Sequence, residues 1–382
     1  MSGKDTVVAR YGEIGTKSDK VRSDMVMVLR QRVQDRLEYE DIEYEKVSSS
    51  ESRIVCRGIE NPQEAAEKIS QIPGVATVSP VFITDPELDK MTDLAEEIVL
   101  GRTFGVDAST AGQHSFDSQD VERELGSALE RSSDSAVDLD NPETLVEVDV
   151  RPDEAYVFSE RFEGPQGFPV GTGEELAALI SGGIDSPVAA YRAMCRGSKI
   201  TPVYFYNRPI AAEDHLLRFK AVVRELKKFN PSRTWRIHVV DMGEVNERLL
   251  AEIDRGRMLV HRRIMFRVAE KIKQQQNLSG IVTGESIAQK SSQTASNLEI
   301  TSKAVETSIF RPLLTENKYD IVSQARDIGT FENSKIESAC NSLSPENPAT
   351  KIDEEEIQSL EDSVDVERLV DKALEKTETE VL

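Results

Sequence analysis

Residues 175–194 read ELAALISGGIDSPVAAYRAM, in which an apolar run is followed by the loop SGGIDS at residues 181–186 and then by a helical pattern. Two adjacent glycines, Gly182 and Gly183, allow a tight turn between a strand and a helix at no steric cost. Pro187 suits the first turn of the helix that follows. The same loop would also present backbone N–H groups to a phosphate at the helix N-terminus. The stretch therefore predicts either a structural turn or a phosphate-binding loop.

The second half of the chain alternates apolar segments with helical patterns. Its four strand-like segments are ELAALIS, ITPVYFY, TWRIHVVDM and SGIVTGE. Such alternation predicts a doubly wound parallel sheet of the α/β class, in which ligands bind at the carboxyl ends of the strands. The SGGIDS loop follows the first of these strands. Because it matches neither GxGxxG nor GxxxxGK[ST], the sequence supports neither a dinucleotide-binding fold nor a Walker-type NTPase.

The pattern along the chain predicts several domains. With 382 residues, the chain is long enough for two or three cores. Short strands and helices predict α+β domains for residues 1–60 and 61–165, and glycine and proline mark a linker at 166–174. The α/β domain is expected to span residues 175–352. The acidic residues 353–382 fit a helix or a solvated tail, and their charge density favours the tail.

The chain is strongly acidic, with 69 Asp and Glu residues against 47 Lys and Arg residues and a net charge of −22. Binding a nucleic acid normally requires a basic surface. However, arginine is more frequent than lysine, acidic residues are spread along the whole chain, and aromatic residues make up only 5%. This composition indicates adaptation to high salt, and the screening length is only about 3 Å at 1 M salt. The net charge therefore does not exclude RNA as a partner.

The three cysteines, Cys56, Cys195 and Cys340, are far apart in the sequence. They form neither a disulfide framework nor a CxxC pair, and the four histidines show no metal-ligand spacing, so no structural zinc or iron–sulfur site is expected. Cys56 and Cys195 lie in apolar patterns and are expected to be buried. Cys340 lies in ESACNSLSPENPATK, whose polar composition is not that of a core.

No stretch of the sequence is long and apolar enough to span a bilayer, and the first residues, MSGKDTVVAR, lack the apolar core of a signal peptide. A cytoplasmic protein without a membrane partner is therefore expected.

Several motifs resemble those of one known family. SGGxDS resembles the PP-loop of ATP pyrophosphatases, which cleave ATP between the α- and β-phosphates and transfer AMP to a carbonyl oxygen. GESIAQKSSQTASNL at 284–298 resembles the GExxxQxxSQTxxNL signature of the tRNA 4-thiouridine synthetases, as does RRIMFRVAEKI before it. YGEIGTKSDKVR at 11–22 resembles the start of their ferredoxin-like domain, and residues 101–129 resemble their THUMP domain, an RNA-binding module. The resemblance extends to about residue 352.

This resemblance implies an enzyme that uses ATP and Mg²⁺ to adenylate O4 of the uridine at position 8 of tRNA and then replaces that oxygen with sulfur. It assigns catalytic roles to Asp185, which handles the nucleotide and Mg²⁺, to Lys318 in adenylation, and to Cys340. It implies tRNA contacts from Arg102, His114 and Arg123. The positions that match the family's ATP pocket are Leu179, Ile180, Ser181, Gly182, Gly183, Asp185, Ser186, Tyr204, Phe205, Arg262, Gly284 and Gln293.

The sequence also departs from the family pattern. Many members carry a C-terminal rhodanese domain that this sequence lacks, so sulfur is expected from free sulfide, from a separate carrier protein, or through Cys340 helped by Cys195. A role in making the thiamine thiazole is correspondingly doubtful. Where the THUMP domain usually carries Arg and Lys, this sequence has Val106, Asp107, Ser109 and Thr110, and the loss of phosphate contacts is expected to weaken tRNA binding.

Two alternative functions remain open at this stage. One is a PP-loop adenylating ligase with another substrate, against which the THUMP resemblance argues. The other is a non-catalytic THUMP protein that binds tRNA, against which the intact SGGIDS loop, Lys318 and Cys340 argue. The resemblance also makes a homodimer plausible.

Overall fold

A computed structural model describes residues 4–334 except 51, 99–100, 133 and 212, together with residue 343 and residues 349–382. The chain divides into two compact units between Gly167 and Phe168, at the glycine- and proline-rich segment. None of the helices in the described ranges is long and apolar enough to cross a membrane.

The first unit contains four helices and nine strands among its described residues. The helices are α1 (Asp19–Tyr39), α2 (Pro62–Ser70), α3 (Leu88–Ile98) and α4 (Ser118–Ser132). The strands are β1 (Thr6–Arg10), β2 (Lys46–Ser50), β3 (Arg53–Arg57), β4 (Thr77–Thr84), β5 (Thr103–Thr110), β6 (Ala136–Val137), β7 (Thr144–Val150), β8 (Ala155–Phe158) and β9 (Phe162–Glu163).

These strands form one sheet in the order β2-β3-β1-β4-β8-β7-β5-β6, with β9 paired to β4. The chain order β1-α1-β2-β3-α2-β4 and the antiparallel pairing of β1 with β3 and β4 give the predicted ferredoxin-like arrangement. Strand β4 is shared by two halves of this sheet. Its residues 77–81 pair with β1, in the half formed by β2, β3 and β1, and its residues 82–84 pair with β8, in the half formed by β8, β7, β5 and β6.

A buried ion cluster joins the two halves of this sheet. Asp149 of β7 is 4% exposed, and its carboxylate accepts hydrogen bonds from Ser109 at 3.1 Å, from Arg151 at 2.5 Å and from Arg53 of β3. Arg10 of β1 lies 3.9 Å from the same carboxylate. Burial lowers the pKa of Arg10 to about 10, and the charge of Asp149 opposes that effect. The cluster thus places one carboxylate among three arginines.

The contact between Arg53 and Asp149 also defines the shape of the sheet. Strands β1, β4 and β8 lie between β3 and β7 in the sheet order. In a flat sheet this arrangement would separate β3 from β7 by about 19 Å, at about 4.8 Å per strand. An arginine side chain cannot span that distance, so the sheet is strongly curved.

The second unit contains eight helices and six strands among its described residues. The helices are α5 (Asp185–Cys195), α6 (Glu213–Lys227), α7 (Gly243–Glu252), α8 (Arg257–Gln275), α9 (Ala295–Ser302), α10 (Lys318–Asp327), α11 (Glu354–Val364) and α12 (Val366–Glu375). The strands are β10 (Glu175–Leu179), β11 (Lys199–Tyr206), β12 (Arg236–Asp241), β13 (Gly280–Val282), β14 (Ile309–Phe310) and β15 (Thr377–Val381).

The sheet of the second unit has the order β14-β13-β10-β11-β12-β15, and all neighbouring strands except β12 and β15 are parallel. The four apolar segments of the sequence are β10, β11, β12 and β13, as predicted. The chain runs from β10 outward through β11 and β12 and then returns to the other side of β10 as β13. The carboxyl ends of β10 and β13 therefore form a topological switch point, where doubly wound sheets bind ligands.

The structure contradicts the preferred interpretation of residues 353–382 as a solvated tail. They form α11, α12 and the edge strand β15, and α12 buries Val366 and Leu369 in the core of the second unit. Glu361 of α11 is 2% exposed and accepts two hydrogen bonds from Arg263 of α8 at 2.6 and 3.0 Å. Apolar residues at every third or fourth position outweigh the high acidic content, which occupies the exposed faces of the helices.

Candidate active site

The SGGIDS loop connects β10 to α5, and its two serines hold it in shape. The backbone N–H of Ser181 donates to Ser186 Oγ at 2.8 Å, and the two hydroxyl oxygens are 3.0 Å apart. The N–H of Gly183 donates to Ser181 Oγ at 3.2 Å. A side chain at Gly182 would meet no atom within 4 Å. The outer side of the loop is therefore open toward a ligand.

Gly284 follows β13 and packs directly against the first residues of α5. A Cβ atom at this position would lie 2.6 Å from the backbone nitrogen of Ser186 and 2.7 Å from the carbonyl carbon of Asp185. Both atoms belong to the backbone and cannot move aside. The first residue of the GESIAQK motif is thus a glycine because the loop after β13 must touch the helix that follows the SGGIDS loop.

The carboxylate of Asp185 lies between an amine and an amide. Lys318 Nζ donates to Asp185 Oδ1 at 2.5 Å, and Gln289 Nε2 donates to Asp185 Oδ2 at 3.1 Å. Asp185 is the first residue of α5 and Lys318 is the first residue of α10. Asn317 precedes α10, and its side chain accepts a hydrogen bond from the N–H of Asp320 at 3.0 Å. This cap fixes the start of the helix that presents Lys318.

A second charged group lines a cavity that the SGGIDS loop also lines. Glu285 is 5% exposed and pairs with Arg262, with Arg311 at 2.7 Å and with the hydroxyl of Thr283 at 3.1 Å. Burial would raise the pKa of Glu285, but the charges of Arg262 and Arg311 outweigh burial and lower it. Two arginines against one carboxylate leave a net positive charge at the cavity, which suits an anionic ligand.

The loop SGGIDS, α8 and the GESIAQKSSQ segment together line one cavity. Its walls include Met258, Met265 and Phe266 on the apolar side. Gln293 is only 7% exposed, and its side-chain oxygen has no hydrogen-bond partner in the described structure. A buried acceptor without a partner costs free energy unless a ligand or water supplies a donor. The amino group of a nucleobase is such a donor, so this site fits adenosine phosphates.

His261 also lines the cavity and is 1% exposed. Burial lowers the pKa of His261 to about 4, with a smaller contribution from the charge of Arg262. One ring nitrogen of His261 lies 3.1 Å from Asn207 Oδ1. At neutral pH, His261 is therefore an uncharged part of the wall.

Most of the predicted ATP-binding residues come together at this cavity. Those that line it are Leu179, Ser181, Gly183, Asp185, Ser186, Arg262, Gly284 and Gln293. The side chains of Ile180, Tyr204 and Phe205 are instead packed in the hydrophobic core, with exposures of 2%, 5% and 5%. Ile180 directly follows β10, and Tyr204 and Phe205 lie near the end of β11.

Sequence reasoning assigned no individual role to Gln289, Glu285 or Arg311. Gln289 and Glu285 lie within the GESIAQK motif, so the motif could have indicated that they belong to the site. Arg311 lies in no motif, and its place beside Glu285 depends on the pairing of β13 with β14.

Cys340 lies outside the described residues. Two described residues of its segment, Leu343 and Thr350, contact residues that are next to cavity residues in the sequence. Arg257 of α8 donates to the carbonyl oxygen of Leu343 at 3.2 Å, and Leu343 is fully buried. The hydroxyl of Thr294 donates to the carbonyl oxygen of Thr350 at 2.9 Å. Thr294 follows the cavity residue Gln293 in the sequence.

Cys195 does not join the site. It is the last residue of α5, whereas Asp185 is the first, and ten residues of helix separate them by about 15 Å. Burial raises the pKa of the Cys195 thiol to about 12. Cys56 is also buried, as predicted, and burial raises its pKa to about 12. Neither thiol is therefore ionised near neutral pH.

The predicted tRNA contacts lie apart from one another in the first unit. Arg102 precedes β5 and His114 follows it, and a strand of eight residues spans about 26 Å. His114 stacks on Phe116 with ring centroids 5.4 Å apart. Arg123 of α4 pairs with Asp120 and is 65% exposed. Ser109 does not face solvent freely, because it bonds to Asp149.

Comparisons with known proteins agree with this geometry. Models of three families match the chain: the thiamine biosynthesis protein (ThiI) at residues 171–366, the ThiI ferredoxin-like domain at 6–79 and the THUMP domain at 87–160. A probable tRNA sulfurtransferase of Halobacterium salinarum is 40% identical over 94% of this chain and 93% of its own length. One of Caldanaerobacter subterraneus subsp. tengcongensis is 30% identical over 96% and 97%.

Solved structures give the same result. The crystal structure of a 4-thiouridine synthetase–RNA complex with bound ATP matches with a TM-score of 0.85, 30% identity and coverage of 99% of each chain. The crystal structure of PH1313 from Pyrococcus horikoshii matches with a TM-score of 0.66 and 22% identity, over 85% of this chain and 99% of the other, which supports the fold alone.

The glycine-rich loop at the switch point and the Asp185–Lys318 pair thus define an ATP-binding protein of the PP-loop class. More particularly, the chain belongs to the ThiI family, whose relatives above are named tRNA sulfurtransferases. The predicted fold class is confirmed: a ferredoxin-like α+β domain, a THUMP domain and a doubly wound PP-loop domain.

Proposed function

We propose that the chain is an ATP-dependent tRNA sulfurtransferase that adenylates O4 of a tRNA uridine and replaces this oxygen with sulfur to give 4-thiouridine. Relatives with this name and the ATP-bound 4-thiouridine synthetase support the proposal. The observation that carries it is the contact of Lys318 Nζ with Asp185 Oδ1 beside the SGGIDS loop. By family resemblance, the target is the uridine at position 8.

The chemistry explains why ATP is needed. O4 of the uracil attacks the α-phosphorus of ATP, the bond from this phosphorus to the bridging oxygen breaks, and pyrophosphate leaves. A sulfur nucleophile then attacks C4, the C4–O4 bond breaks, and AMP leaves with O4. Without adenylation, the leaving group would be oxide. Thiolates and persulfides suit the second step because they are strong nucleophiles that ionise near neutral pH.

The residues of the cavity divide this work. We assign binding of the phosphates to the SGGIDS loop and to the N-terminus of α5. Lys318 and Arg262 supply positive charge where the pyrophosphate develops negative charge, which is the main electrostatic task in phosphoryl transfer. Glu285 holds Arg262 in place. Gln293 is proposed to accept a hydrogen bond from the nucleoside.

Mg²⁺ is proposed to bind with the nucleotide. No cluster of three or more His, Cys, Asp or Glu side chains suited to a metal occurs among the residues that the structure describes. Mg²⁺ commonly takes only one or two carboxylates and completes its shell with phosphate oxygens and water. The carboxylate of Asp185 fits that donor set. The ion would neutralise phosphate charge.

Cys340 is proposed to act in the sulfur-transfer step. Its distance from Leu343 is three residues, which span at most about 11 Å. Leu343 is held by Arg257, the residue before the cavity residue Met258. The role of Cys340 itself is proposed from the resemblance of its segment to that of the family. The sulfur donor is proposed to be a separate molecule, either sulfide or a persulfide carrier protein.

The proposal is tested by mass spectrometry of nucleosides after tRNA is incubated in high salt with the protein, ATP, Mg²⁺ and sulfide. We expect 4-thiouridine, AMP and pyrophosphate from the wild type. Cys340→Ser is expected to release pyrophosphate but to form at least 10²-fold less thiouridine, because it removes the thiolate proposed to displace AMP from C4 and then to be displaced itself by sulfide, which leaves sulfur on C4. Equal thiouridine from both would contradict the role of Cys340. ADP as the nucleotide product would contradict the proposed reaction.

Cys195→Ala is expected to leave thiouridine formation within about twofold of the wild type. Cys195 is at the far end of α5, and burial keeps its thiol protonated because it raises the pKa to about 12. The same nucleoside assay measures this. Loss of thiouridine with retained pyrophosphate release would show instead that Cys195 takes part in sulfur transfer.

Recognition of the tRNA is proposed to involve Arg102, His114 and Arg123 in the first unit. The boundaries at residues 60, 165, 174 and 352, a cytoplasmic location and a homodimer also stay predictions. Light scattering in high salt tests the homodimer directly.

A further inference from the structure

Arg192 connects α5, which begins at Asp185, with the segment that leads into α10. Its Nε donates to the side-chain oxygen of Gln324 at 2.8 Å. Its Nη1 lies 2.7 Å from Glu316 Oε1 and donates to the carbonyl oxygen of Pro312 at 3.4 Å. One guanidinium group thus contacts α10 and two points of the loop before it. This loop and helix carry Lys318 between them.

The position of Arg192 on α5 makes this contact relevant to the site. Arg192 comes seven residues after Asp185, so both lie on the same face of the helix, about 10 Å apart along its axis. Helices α5 and α10 therefore meet twice: at their first residues, through Asp185 and Lys318 at 2.5 Å, and two turns deeper, through Arg192 and Gln324. Two contacts on one face fix both the distance and the angle between the helices.

We propose that Arg192 is a positioning residue that holds Lys318 against the SGGIDS loop during adenylation. This inference rests on the proposed function, because it assigns to Arg192 the placement of the amine that stabilises the departing pyrophosphate. Arg192 does not contact the reacting atoms itself.

Arginine is suited to this role and lysine is not. The guanidinium group is planar and offers five N–H donors in a fixed fork, whereas an ammonium group is a single point of charge on a flexible stem. The three acceptors around Arg192 lie on two different structural elements. Hydrogen bonding from Arg192 lowers the pKa of Glu316, with a further contribution from its charge, so the pair remains ionised at neutral pH.

The competing interpretation is that Arg192 only stabilises the packing of α5 against α10. The two interpretations predict different kinetics. Arg192→Met keeps the aliphatic stem and removes the fork. If Arg192 positions Lys318, kcat for tRNA-dependent AMP formation should fall by about tenfold, because small misplacements of a catalytic group are costly. The KM for ATP should stay within about twofold, because the phosphate-binding loop is unchanged.

Two further variants complete the kinetic test. Arg192→Lys should recover only part of the loss in kcat. Arg326→Met is the matched control on α10, where Arg326 stacks on Phe331 with its guanidinium carbon 4.7 Å from the ring centroid. It should leave kcat within about twofold. An equal fall in Arg326→Met, or an unchanged kcat in Arg192→Met, would overturn the proposal.

A second measurement does not depend on turnover. Lysine acylation followed by mass spectrometry reports how strongly each amine is held. Lys318 and Lys303 have similar exposures, 50% and 43%, and each is ion-paired, with Asp185 at 2.5 Å and Glu354 at 2.8 Å respectively. Arg192→Met should raise the labelling rate of Lys318 several-fold and leave Lys303 unchanged. Equal rates at Lys318 in both proteins would overturn the proposal. If the wild type formed no thiouridine and no AMP, the proposed function would be wrong. The labelling rates would still test whether Arg192 holds Lys318, because they do not require turnover.

Discussion

Replacement of Lys318 by methionine is expected to lower tRNA-dependent formation of AMP by about 10³-fold, because removing a preorganised cation from developing phosphate charge typically costs this much. The N-terminus of α10 and the cap at Asn317 place the amine 2.5 Å from Asp185 Oδ1. Methionine keeps most of the side-chain length and removes the charge. The measurement is release of pyrophosphate under saturating ATP, with thiouridine followed in parallel. Both should fall together, since adenylation precedes sulfur transfer.

Lys303→Met is the control for Lys318→Met. Lys303 is a comparably exposed lysine at the end of α9, paired with Glu299 and Glu354, and its loss should change neither product. Lys318→Arg keeps the charge but changes its shape, so partial activity is expected. If Lys318→Met retained AMP formation within threefold of the wild type, Lys318 would be an ordinary surface lysine. The role in adenylation that the family resemblance assigns to it would then be wrong.

The parts of the site that the sequence predicted are those fixed by local geometry. The SGGIDS loop must combine a tight turn, an open backbone and a helix start, and few sequences satisfy all three conditions. Gly284 is similar, because a Cβ atom there would collide with the backbone of Ser186. Such requirements leave a readable motif within a few residues. The four strands of the parallel sheet were also predictable, because strands covered on both faces are continuous apolar runs.

The parts that the sequence could not predict depend on contacts between distant residues. Nothing near Arg192 indicates that its acceptors lie 120 to 132 residues away. The core positions of Tyr204 and Phe205 follow from the packing of helices on both faces of the sheet, not from their place at a strand end. The prediction of a solvated tail for residues 353–382 is wrong because it follows the acidic charge of this segment. The spacing of Val366, Leu369 and Val370 indicates instead a helix with one buried face.

Asp149→Asn is expected to destabilise the first unit by about 3–5 kcal/mol, because it leaves buried cations without their counter-charge. Asp149 is 4% exposed and contacts Arg53 and Arg151, with Arg10 at 3.9 Å. Asparagine keeps the shape of the side chain and removes the charge. Unfolding of a chain with two compact units is not described by a single free energy, so the measurement is hydrogen exchange of peptides from β1, β3 and β7. Exchange in these strands should be about 10² to 10⁴ times faster.

Asp120→Asn is the matched control, because Asp120 forms an exposed pair with Arg123 on α4 of the same unit, and exposed pairs contribute little. No change in exchange is expected for it. The salt dependence also distinguishes the buried cluster of Asp149 from the exposed pair of Asp120 and Arg123. Exposed charges are screened within about 3 Å at 1 M salt, whereas a buried pair is screened much less. The loss in Asp149→Asn should therefore persist in high salt. If high salt restored normal exchange, the Asp149 cluster would be accessible to ions and would not hold the two halves of the sheet together.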